Sequence, residues 1–265
     1  MTTSSASRFA ELHRDGLFVM PNPWDVGSAR ILAAAGFQAL ATTSSGHAAS
    51  MGRHDQKVSR DELLAHTEAI AAATDVPLNV DAERCFADTP EGVAATVRLI
   101  AHAGAAGCSI EDYDPVTGAT DELGVAVERV AAAAEAANDS GMVLTARADH
   151  HLYQDVALED TILRLRAYHD AGAHVVYAPG LTARDDIERL VNEVSAPVNV
   201  LALPGGPSIG ELASAGVRRV STGGALALAA YGALHDAAQE LLGPGTTTYA
   251  NRALSGVEQE AAFGS

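Results

Sequence analysis

Short apolar runs alternate with longer, alanine-rich segments of helical period along the whole chain. The runs are 17–20, 39–43, 77–80, 107–110, 142–146, 174–178, 197–203 and 218–221. They are continuous rather than alternating, which is typical of parallel strands covered on both faces. The segments between them predict helices at 60–73, 91–103, 121–137, 160–171 and 183–194.

Eight strand–helix units in about 220 residues predict an α/β fold, a (β/α)8 barrel of the TIM type. Gly36, Gly104, Gly172 and Gly216 each follow a helical segment just before a strand, where a C-cap needs positive φ. An open doubly wound sheet is the alternative, but it usually begins with a glycine-rich turn, and here that turn reads Pro-Asn-Pro-Trp-Asp. We expect a single domain over 1–265, with the barrel at about 15–242 and a C-terminal helical extension whose tail is 243–265.

Composition excludes several classes of function. The chain has 17 Lys and Arg against 34 Asp and Glu, a formal net charge of −17, which argues against binding to nucleic acid phosphates. No apolar stretch approaches the roughly 20 residues of a membrane span, and residues 1–10 do not resemble a secretion signal. Two cysteines, Cys85 and Cys108, are too few for a disulfide framework, so we expect a reduced, cytoplasmic enzyme.

Two further enzyme classes are disfavoured by single motifs. Lys57 is the only lysine and follows Gln56, which excludes a Walker A loop and argues against Schiff-base chemistry. Gly206-Pro-Ser-Ile-Gly210 matches the serine hydrolase elbow, but that fold requires Ser, then Asp or Glu, then His in chain order, and only a short tail follows His235. We predict instead that Ser208 is the N-cap of a helix at 209–215.

Polar side chains collect where the predicted strands end, which is where barrel enzymes place their catalytic groups. In chain order they are Asn22, Trp24, Asp25, Thr42, Thr43, Ser44, Ser45, Asp55, Asp81, Glu83, Glu111, Asp112, Arg147, Asp149 and Tyr177. Any one acidic residue of this kind could equally cap a helix or pair with an arginine. The set as a whole favours a site.

Three carboxylates and one arginine carry the chemistry of this prediction. Asp81 and Glu83 are two residues apart, so both point to one side of an extended chain, and Glu111 ends the next strand. Three neighbouring carboxylates repel one another unless a cation is present, and an all-oxygen set suits Mg²⁺ or Mn²⁺. Arg147 is placed to hold a substrate carboxylate through two hydrogen bonds. We expect His150 and His151 to lie on a solvated loop.

The chain resembles the isocitrate lyase / phosphoenolpyruvate mutase superfamily over 21–242. The segments that carry the resemblance are Thr42-Thr-Ser-Ser-Gly-His-Ala-Ala-Ser-Met-Gly-Arg-His-Asp55, Val80-Asp-Ala-Glu83, Ser109-Ile-Glu-Asp112, Thr145-Ala-Arg147 and Gly216-Val-Arg-Arg-Val-Ser-Thr-Gly223. Members are usually Mg²⁺-dependent and act on small 2-oxo or 2-hydroxy acids, cleaving or forming C–C or P–C bonds beside a carboxylate.

The resemblance implies a role for most of these residues. Asp81 would bind the metal directly, while Glu83 and Glu111 would hold its water. Arg147 would bind the substrate carboxylate, and the backbone amides around Thr43 and Ser44 would receive a substrate oxyanion. Asp55 matches an aspartate near the substrate. We also expect Trp24 and Asn199 to bind substrate, and the chain to form a homo-oligomer, a tetramer as resembling proteins do, through helix 225–242.

The sequence also departs from the family pattern. Lyases of the family carry Lys-(Lys/Arg)-Cys-Gly-His on a mobile loop after the fourth strand, and the mutases use a Lys and an Asn there. Here the loop reads Tyr113-Asp-Pro-Val-Thr-Gly-Ala-Thr120. Pro179 stands where methylisocitrate lyases have a Glu, and Arg84-Cys-Phe86 replaces the usual Gly-(Tyr/Phe)-Gly. The metal and oxyanion residues are present, but the usual general acid and base are not.

These departures rank the possible functions. A metal chelated by a 2-oxo acid stabilises an enolate without an enzymic base, and decarboxylation needs no initial proton abstraction. We therefore expect a Mg²⁺-dependent decarboxylase or C–C lyase of a small 2-oxo or 2-hydroxy acid. Tyr113, His54 or a metal-bound water are the candidates to move a proton in a retro-aldol cleavage. Cleavage of phosphonopyruvate is the second alternative. A non-catalytic barrel that binds 2-oxo acids is the third.

Overall fold

The computed structural model describes residues 4–154 and 156–264, and its centre is one sheet of eight parallel strands. The barrel strands are β1 Phe18–Met20, β2 Leu40–Ala41, β3 Leu78–Asp81, β4 Gly107–Glu111, β7 Val143–Arg147, β8 Val175–Tyr177, β9 Val198–Leu201 and β10 Arg219–Ser221. A separate antiparallel hairpin pairs β5 Tyr113–Asp114 with β6 Ala119–Thr120. Each barrel strand overlaps one of the apolar runs, so the predicted α/β barrel is confirmed.

The sheet runs in the order β1-β10-β9-β8-β7-β4-β3-β2. Its two ends meet through a backbone hydrogen bond from the Ala41 N–H to the Pro21 carbonyl at 3.1 Å. Beside it, the Asn22 side chain donates from Nδ2 to the Thr42 carbonyl at 2.8 Å. The barrel is therefore closed by one backbone and one side-chain contact just beyond β1 and β2.

Helices surround the strands. They are α1 Ser5–Leu12, α2 Val26–Ala34, α3 Ser44–Ser50, α4 Arg60–Ala73, α5 Pro90–His102, α6 Leu123–Asp139, α7 His150–Tyr153, α8 Leu158–Asp170, α9 Arg184–Glu193, α10 Ile209–Ser214, α11 Ala225–Leu242 and α12 Gly256–Phe263, with a 3₁₀ turn at Thr248–Arg252. None of these described helices combines the length and hydrophobicity that crossing a bilayer requires.

The local signals in the sequence act as predicted. Ser208 is the N-cap of α10 and forms a capping box with Glu211. Among the four glycines expected at helix ends, Gly172 has a φ of 106°, and an added Cβ would lie 2.9 Å from the Cβ of Ala134. Glycine is therefore required there by both the backbone conformation and the packing.

Two helices, α1 and α12, lie outside the repeating strand–helix units. Helix α1 covers the amino-terminal ends of the strands, and its Phe9 ring fills the space that a Cβ at Gly107 would occupy, 2.7 Å away. Helix α12 folds back against α2. Helix α11 packs on α3 but buries only Ala227 of its 18 residues.

Candidate active site

A cavity of about 170 Å³ opens at the carboxyl-terminal ends of the barrel strands. Of the residues to which the sequence analysis gave a role, six line it: Thr43, Ser44, Asp55, Asp81, Arg147 and Asn199. The register explains part of this grouping, because Arg147 pairs with Tyr177 across β7 and β8, and Tyr177 pairs with Asn199 across β8 and β9. Strand pairing thus presents a row of polar side chains to one space.

Arg147 is the electrostatic centre of the site. Its NH1 donates to Asp81 Oδ1 at 2.8 Å, and its NH2 lies 3.2 Å from Glu111 Oε2. Asp149 accepts from both Nε and NH2, at 3.1 and 2.7 Å. Charge-assisted hydrogen bonds of this kind fix a guanidinium in both position and plane. NH1 takes no part in the pair with Asp149. A ligand could therefore replace Asp81 as the partner of NH1 while the Asp149 pair remains.

Asp149 is itself held by a second layer of buried polar groups. Asp112 Oδ1 accepts from the Asp149 N–H at 2.9 Å. The other oxygen of Asp112 accepts from the Tyr168 hydroxyl at 2.6 Å and from Arg164 at 3.0 Å. This network connects helix α8 to the end of β7, so the orientation of Arg147 depends on side chains that do not line the cavity.

Asp81 connects the metal and oxyanion halves of the prediction. Its Oδ2 accepts from the backbone N–H of Ser44 at 3.0 Å, and its own N–H donates to Thr42 Oγ1 at 2.9 Å. Thr43 is the N-cap of α3, so the amide of Ser44 lies at that helix's first turn. An oxyanion bound at Ser44 would have to replace Asp81 as its acceptor.

Glu83 and Glu111 lie beside Asp81 but outside the cavity lining. Glu111 is buried, and its Oε1 accepts from Gln56 Nε2 at 2.7 Å. Glu83 is also buried, has a φ of 48°, and keeps Oε1 without a hydrogen-bond partner. Burial, and then the neighbouring Asp81, raises the pKa of Glu83 to about 8, and burial raises the pKa of Glu111 well above its ordinary value. The site therefore concentrates more negative charge than Arg147 compensates.

This donor set fits a hard divalent cation. The buried Oε1 of Glu83, which has no hydrogen-bond partner, is an oxygen donor of the kind that such a cation binds directly or through water. Within the described ranges, no three His, Cys, Asp or Glu side chains are grouped so that all of them could bind one metal ion directly. A cation here would take Asp81 as its protein ligand and reach Glu83 and Glu111 through water.

Asp55 lies at the rim of the cavity. The residue stays exposed, but its carboxyl accepts from the Gln56 N–H at 3.0 Å and lies near Asp81. Partial desolvation, and then the charge of Asp81, raises the pKa of Asp55. The loop from 51 to 59 thus places two neighbours in the site, because Asp55 lines the cavity and Gln56 holds Glu111.

The structure does not bring Trp24 and Tyr113 to the cavity lining. Trp24 packs near Tyr231 of α11, with ring centroids 6.4 Å apart. Tyr113 begins the β5–β6 hairpin and stacks on Tyr153 at 3.9 Å. The segment after the fourth strand, a mobile loop in the resembling lyases, is here a short hairpin in which Asp114 accepts from the Val116 N–H.

The expectation of a solvated loop at His150 and His151 is wrong. His150 is buried in the short helix α7, and its Nε2 lies 3.0 Å from Thr161 Oγ1. The same hydroxyl contacts His151 Nε2 at 2.7 Å. The adjacent histidines are drawn inward because helix α8 presents a buried hydroxyl that no local sequence pattern reveals.

Sequence reasoning named Tyr177 and Asp149 at strand ends but gave neither a role, and it missed Gln56 and Arg219. Tyr177 lines the cavity, is buried and lies under Arg147, whose Cζ is 5.4 Å from the ring centroid. Burial raises the pKa of Tyr177 to about 12. The spacing could have shown that Asp149 lies beside Arg147, because a residue two positions further along an extended strand points to the same side. Gln56 and Arg219 had no comparable signal, since the first depends on a loop and the second on barrel register.

Comparisons with known proteins identify the family and the fold. The family model for phosphoenolpyruvate phosphomutase matches residues 9–242. A solved structure from Burkholderia cenocepacia J2315, described as a presumed lyase/mutase, is 48% identical with a TM-score of 0.92 and covers 96% of this chain and 93% of its own. The structure of 2,3-dimethylmalate lyase, a PEP mutase/isocitrate lyase superfamily member, is 26% identical with a TM-score of 0.86, covering 98% and 95%. The oxaloacetate decarboxylase of Paraburkholderia xenovorans strain LB400 is 30% identical over 86% of this chain and 79% of its own.

Proposed function

This chain belongs to the phosphoenolpyruvate phosphomutase family, within the PEP mutase/isocitrate lyase superfamily, and on that premise we propose that it is a divalent-cation-dependent lyase of small 2-oxo or 2-hydroxy acids. The specific reaction we propose is cleavage that reaches an enolate by losing CO₂ or a second carbonyl fragment, with an oxaloacetate-type acid as the preferred substrate. Membership makes the chain an enzyme, so the non-catalytic alternative is set aside.

One observation carries the choice of reaction. Among the described residues that line the cavity there is no lysine, cysteine or histidine. A reaction that must begin with proton abstraction needs a base with a pKa matched to the working pH. In that lining, the carboxylate with a raised pKa is Asp55, which lies at the exposed rim. Decarboxylation of a 2-oxo acid begins with departure of CO₂ and needs no base for that step.

The residues of the chain supply binding, orientation and a proton. Arg147 NH1 pairs with the carboxylate of the substrate in place of Asp81, while the Asp149 pair keeps the guanidinium plane fixed. The hydroxyl of Tyr177 keeps its proton at neutral pH and lines the same space, so it is the group that returns a proton to the enolate carbon. The amide of Ser44 supports the developing oxyanion.

A divalent cation held by Asp81, with Glu83 and Glu111 acting through water, would supply positive charge beside the substrate oxygens where negative charge develops. Arg147 is otherwise the only cation that contacts the carboxylates of the site in the described residues. Phosphonopyruvate is the less supported substrate, because the segment after the fourth strand has neither the lysine nor the asparagine that the resembling mutases use there.

Steady-state assays test this proposal. We expect pyruvate to form from oxaloacetate with Mg²⁺, faster than in an enzyme-free blank at the same Mg²⁺ concentration, and activity to be lost in EDTA. Asp81→Asn should abolish the Mg²⁺-dependent rate, whereas Asp88→Asn, at an exposed aspartate that pairs with Arg84 and does not line the cavity, should retain it. Activity that persists in EDTA, or a fully active Asp81→Asn variant, would refute the cation-dependent site.

The chain also presents a surface for self-association. Leu228, Leu234 and Leu242 on α11 are 64%, 66% and 83% exposed, although the helix is apolar enough for a core. Several large apolar side chains exposed along one helix are typical of a protein interface. We propose that α11 packs against a second copy of the chain in a homo-oligomer, with the tetramer as the expected state.

A further inference from the structure

A second arginine faces the cavity from its inner side. Arg219 is 1% exposed, lines the cavity, and lies next to Asn199 in the register between β9 and β10. Its Nε donates to Asn199 Oδ1 at 2.9 Å, its NH2 to Thr145 Oγ1 at 2.8 Å, and its NH1 to His13 Nε2 at 3.3 Å. Because His13 belongs to α1, Arg219 spans from the covered end of the barrel to the cavity.

All three acceptors of Arg219 are neutral. Asn199 and Thr145 carry no charge, and burial lowers the pKa of His13 to about 3, so its ring is uncharged at neutral pH. The His13 Nδ1 lies 2.8 Å from the Phe9 carbonyl, which leaves Nε2 as the acceptor. In the part of the chain that the structure describes, no carboxylate lies within 4.0 Å of the Arg219 guanidinium. Arg147, in contrast, contacts three carboxylates.

A buried charge without a counter-ion is costly, by several kcal/mol for an ion moved from water to a protein interior. Burial lowers the pKa of Arg219 to about 9, and the side chain is still charged at neutral pH. Three of its five N–H groups have protein acceptors, so two remain for a ligand. The inner wall beside it is polar, with Ser109, Thr145 and Ser221, where barrels usually have branched aliphatic side chains.

We propose that Arg219 forms an anion subsite on the inner wall of the cavity, separate from Arg147, and that this subsite takes a carboxylate. The carboxylate is either the one on the substrate that Arg147 does not hold or a separate small carboxylate. The first source rests on the proposed function, whereas the subsite itself rests on the uncompensated charge and its place in the cavity wall.

Asn199 offers a variant that tests the charge without removing the arginine. Asn199→Asp is isosteric and places a carboxylate on Arg219 Nε, where the amide oxygen now accepts. This internal counter-ion should fill the role of the proposed ligand, so thermal stability should be kept or raised. Arg219→Met removes the charge directly, and Arg218→Met is the matched control, because that neighbouring arginine contacts the Gly16 carbonyl and does not line the cavity.

Equilibrium binding to the Mg²⁺-loaded protein by calorimetry provides the readout. L-Malate and 2-hydroxybutyrate differ by one carboxylate, and we expect the wild type to prefer malate by about 30-fold or more. The preference should fall to within about threefold in Asn199→Asp and Arg219→Met and persist in Arg218→Met. If a separate carboxylate is the ligand, added formate should instead tighten 2-hydroxybutyrate binding in the wild type and not in the two variants.

A malate preference that survives Asn199→Asp in a folded protein, with no formate effect that depends on Arg219, would overturn the subsite. Turnover is scored separately with oxaloacetate. Loss of the proposed function would appear as a protein that binds with Arg219-dependent preference and does not turn over. Loss of the subsite would appear as turnover with no such preference.

Discussion

Both carboxylate oxygens of Asp149 accept hydrogen bonds from the guanidinium of Arg147. Nε donates to Oδ1 at 3.1 Å and NH2 donates to Oδ2 at 2.7 Å. The two residues lie two positions apart where β7 ends, so an extended backbone brings them to one side of the strand. The pair leaves NH1 directed at Asp81. Binding and positioning are thereby divided between different nitrogens of one side chain.

Asp149→Asn should reduce both activity and stability. The amide cannot accept from Nε and NH2 together, so Arg147 loses its fixed plane, and misplacement of a substrate-binding group costs about 10²-fold in kcat/KM. Breaking one side of a buried pair lowers the free energy of unfolding by about 3 kcal/mol. Asp170→Asn, at the exposed end of α8, is the control and should change neither quantity. An unimpaired kcat/KM would show that Asp149 does not position Arg147.

Tyr177→Phe separates the hydroxyl from the ring. Phenylalanine keeps the aromatic face under Arg147 Cζ and removes only the proposed proton donor. General acid help is worth about 10²–10⁴-fold, so kcat should fall by about 10² or more while KM changes little. Rapid-quench or coupled assays would measure this split. A rise in KM of similar size, with kcat preserved, would show that Tyr177 acts in substrate binding instead.

The sequence predicted which strand ends form the site better than it predicted which loop side chains reach the cavity. Asp81 and Arg147 are found at strand ends facing one cavity because barrel topology alone determines where strands end. Trp24 was expected in the site but packs near α11, and Tyr113 is held in a hairpin. Which side of a loop residue faces the cavity depends on contacts between distant segments, and such contacts leave no periodic pattern.

The self-association surface can be tested on α11. Leu234→Gln combined with Leu228→Gln should shift the protein toward smaller species. The double substitution removes two exposed apolar side chains that association would bury. Leu163→Gln, an equally exposed leucine on α8, should leave the oligomeric state unchanged. Light scattering at micromolar concentration is the measurement. A wild-type monomer would show that α11 needs no partner copy.

A stacked histidine pair predicts acid sensitivity. His47 and His66 lie 3.7 Å apart, ring centroid to centroid, and His66 Nε2 is buried without a hydrogen-bond partner. Burial, and then His47, lowers the pKa of His66 to about 3, although Asp25 opposes this shift and Glu62 and Arg53 act on His47. In the unfolded chain His66 binds a proton near pH 6.5, whereas in the folded chain it stays neutral until about pH 3. The free energy of unfolding therefore falls as the pH drops from 6.5 toward 3.

The slope of that loss is about 1.4 kcal/mol per pH unit for each such histidine. His66→Phe retains a ring against His47 and should remove one histidine's share of the slope between pH 7 and pH 5. Urea unfolding at three pH values measures it. The exposed His235→Asn variant serves as the control and should keep the wild-type slope.

The β5–β6 hairpin predicts that this protein is a poor isocitrate lyase and a poor phosphoenolpyruvate mutase. Both reactions need a titratable or cationic group on the segment after the fourth strand, and here that segment offers Tyr113, Asp114 and two threonine hydroxyls. Tyr113 is stacked on Tyr153 and outside the cavity lining, so it adds no positive charge to a migrating phosphoryl and no base to a hydroxyl. Lys57, the only lysine, is exposed and does not line the cavity either. Steady-state assays with isocitrate, methylisocitrate, oxaloacetate and phosphonopyruvate should rank oxaloacetate first. A kcat/KM for isocitrate of about 10⁴ M⁻¹s⁻¹ or more, the range of an ordinary enzyme on its own substrate, would contradict this prediction and show that the residues of this hairpin can support the proton transfer.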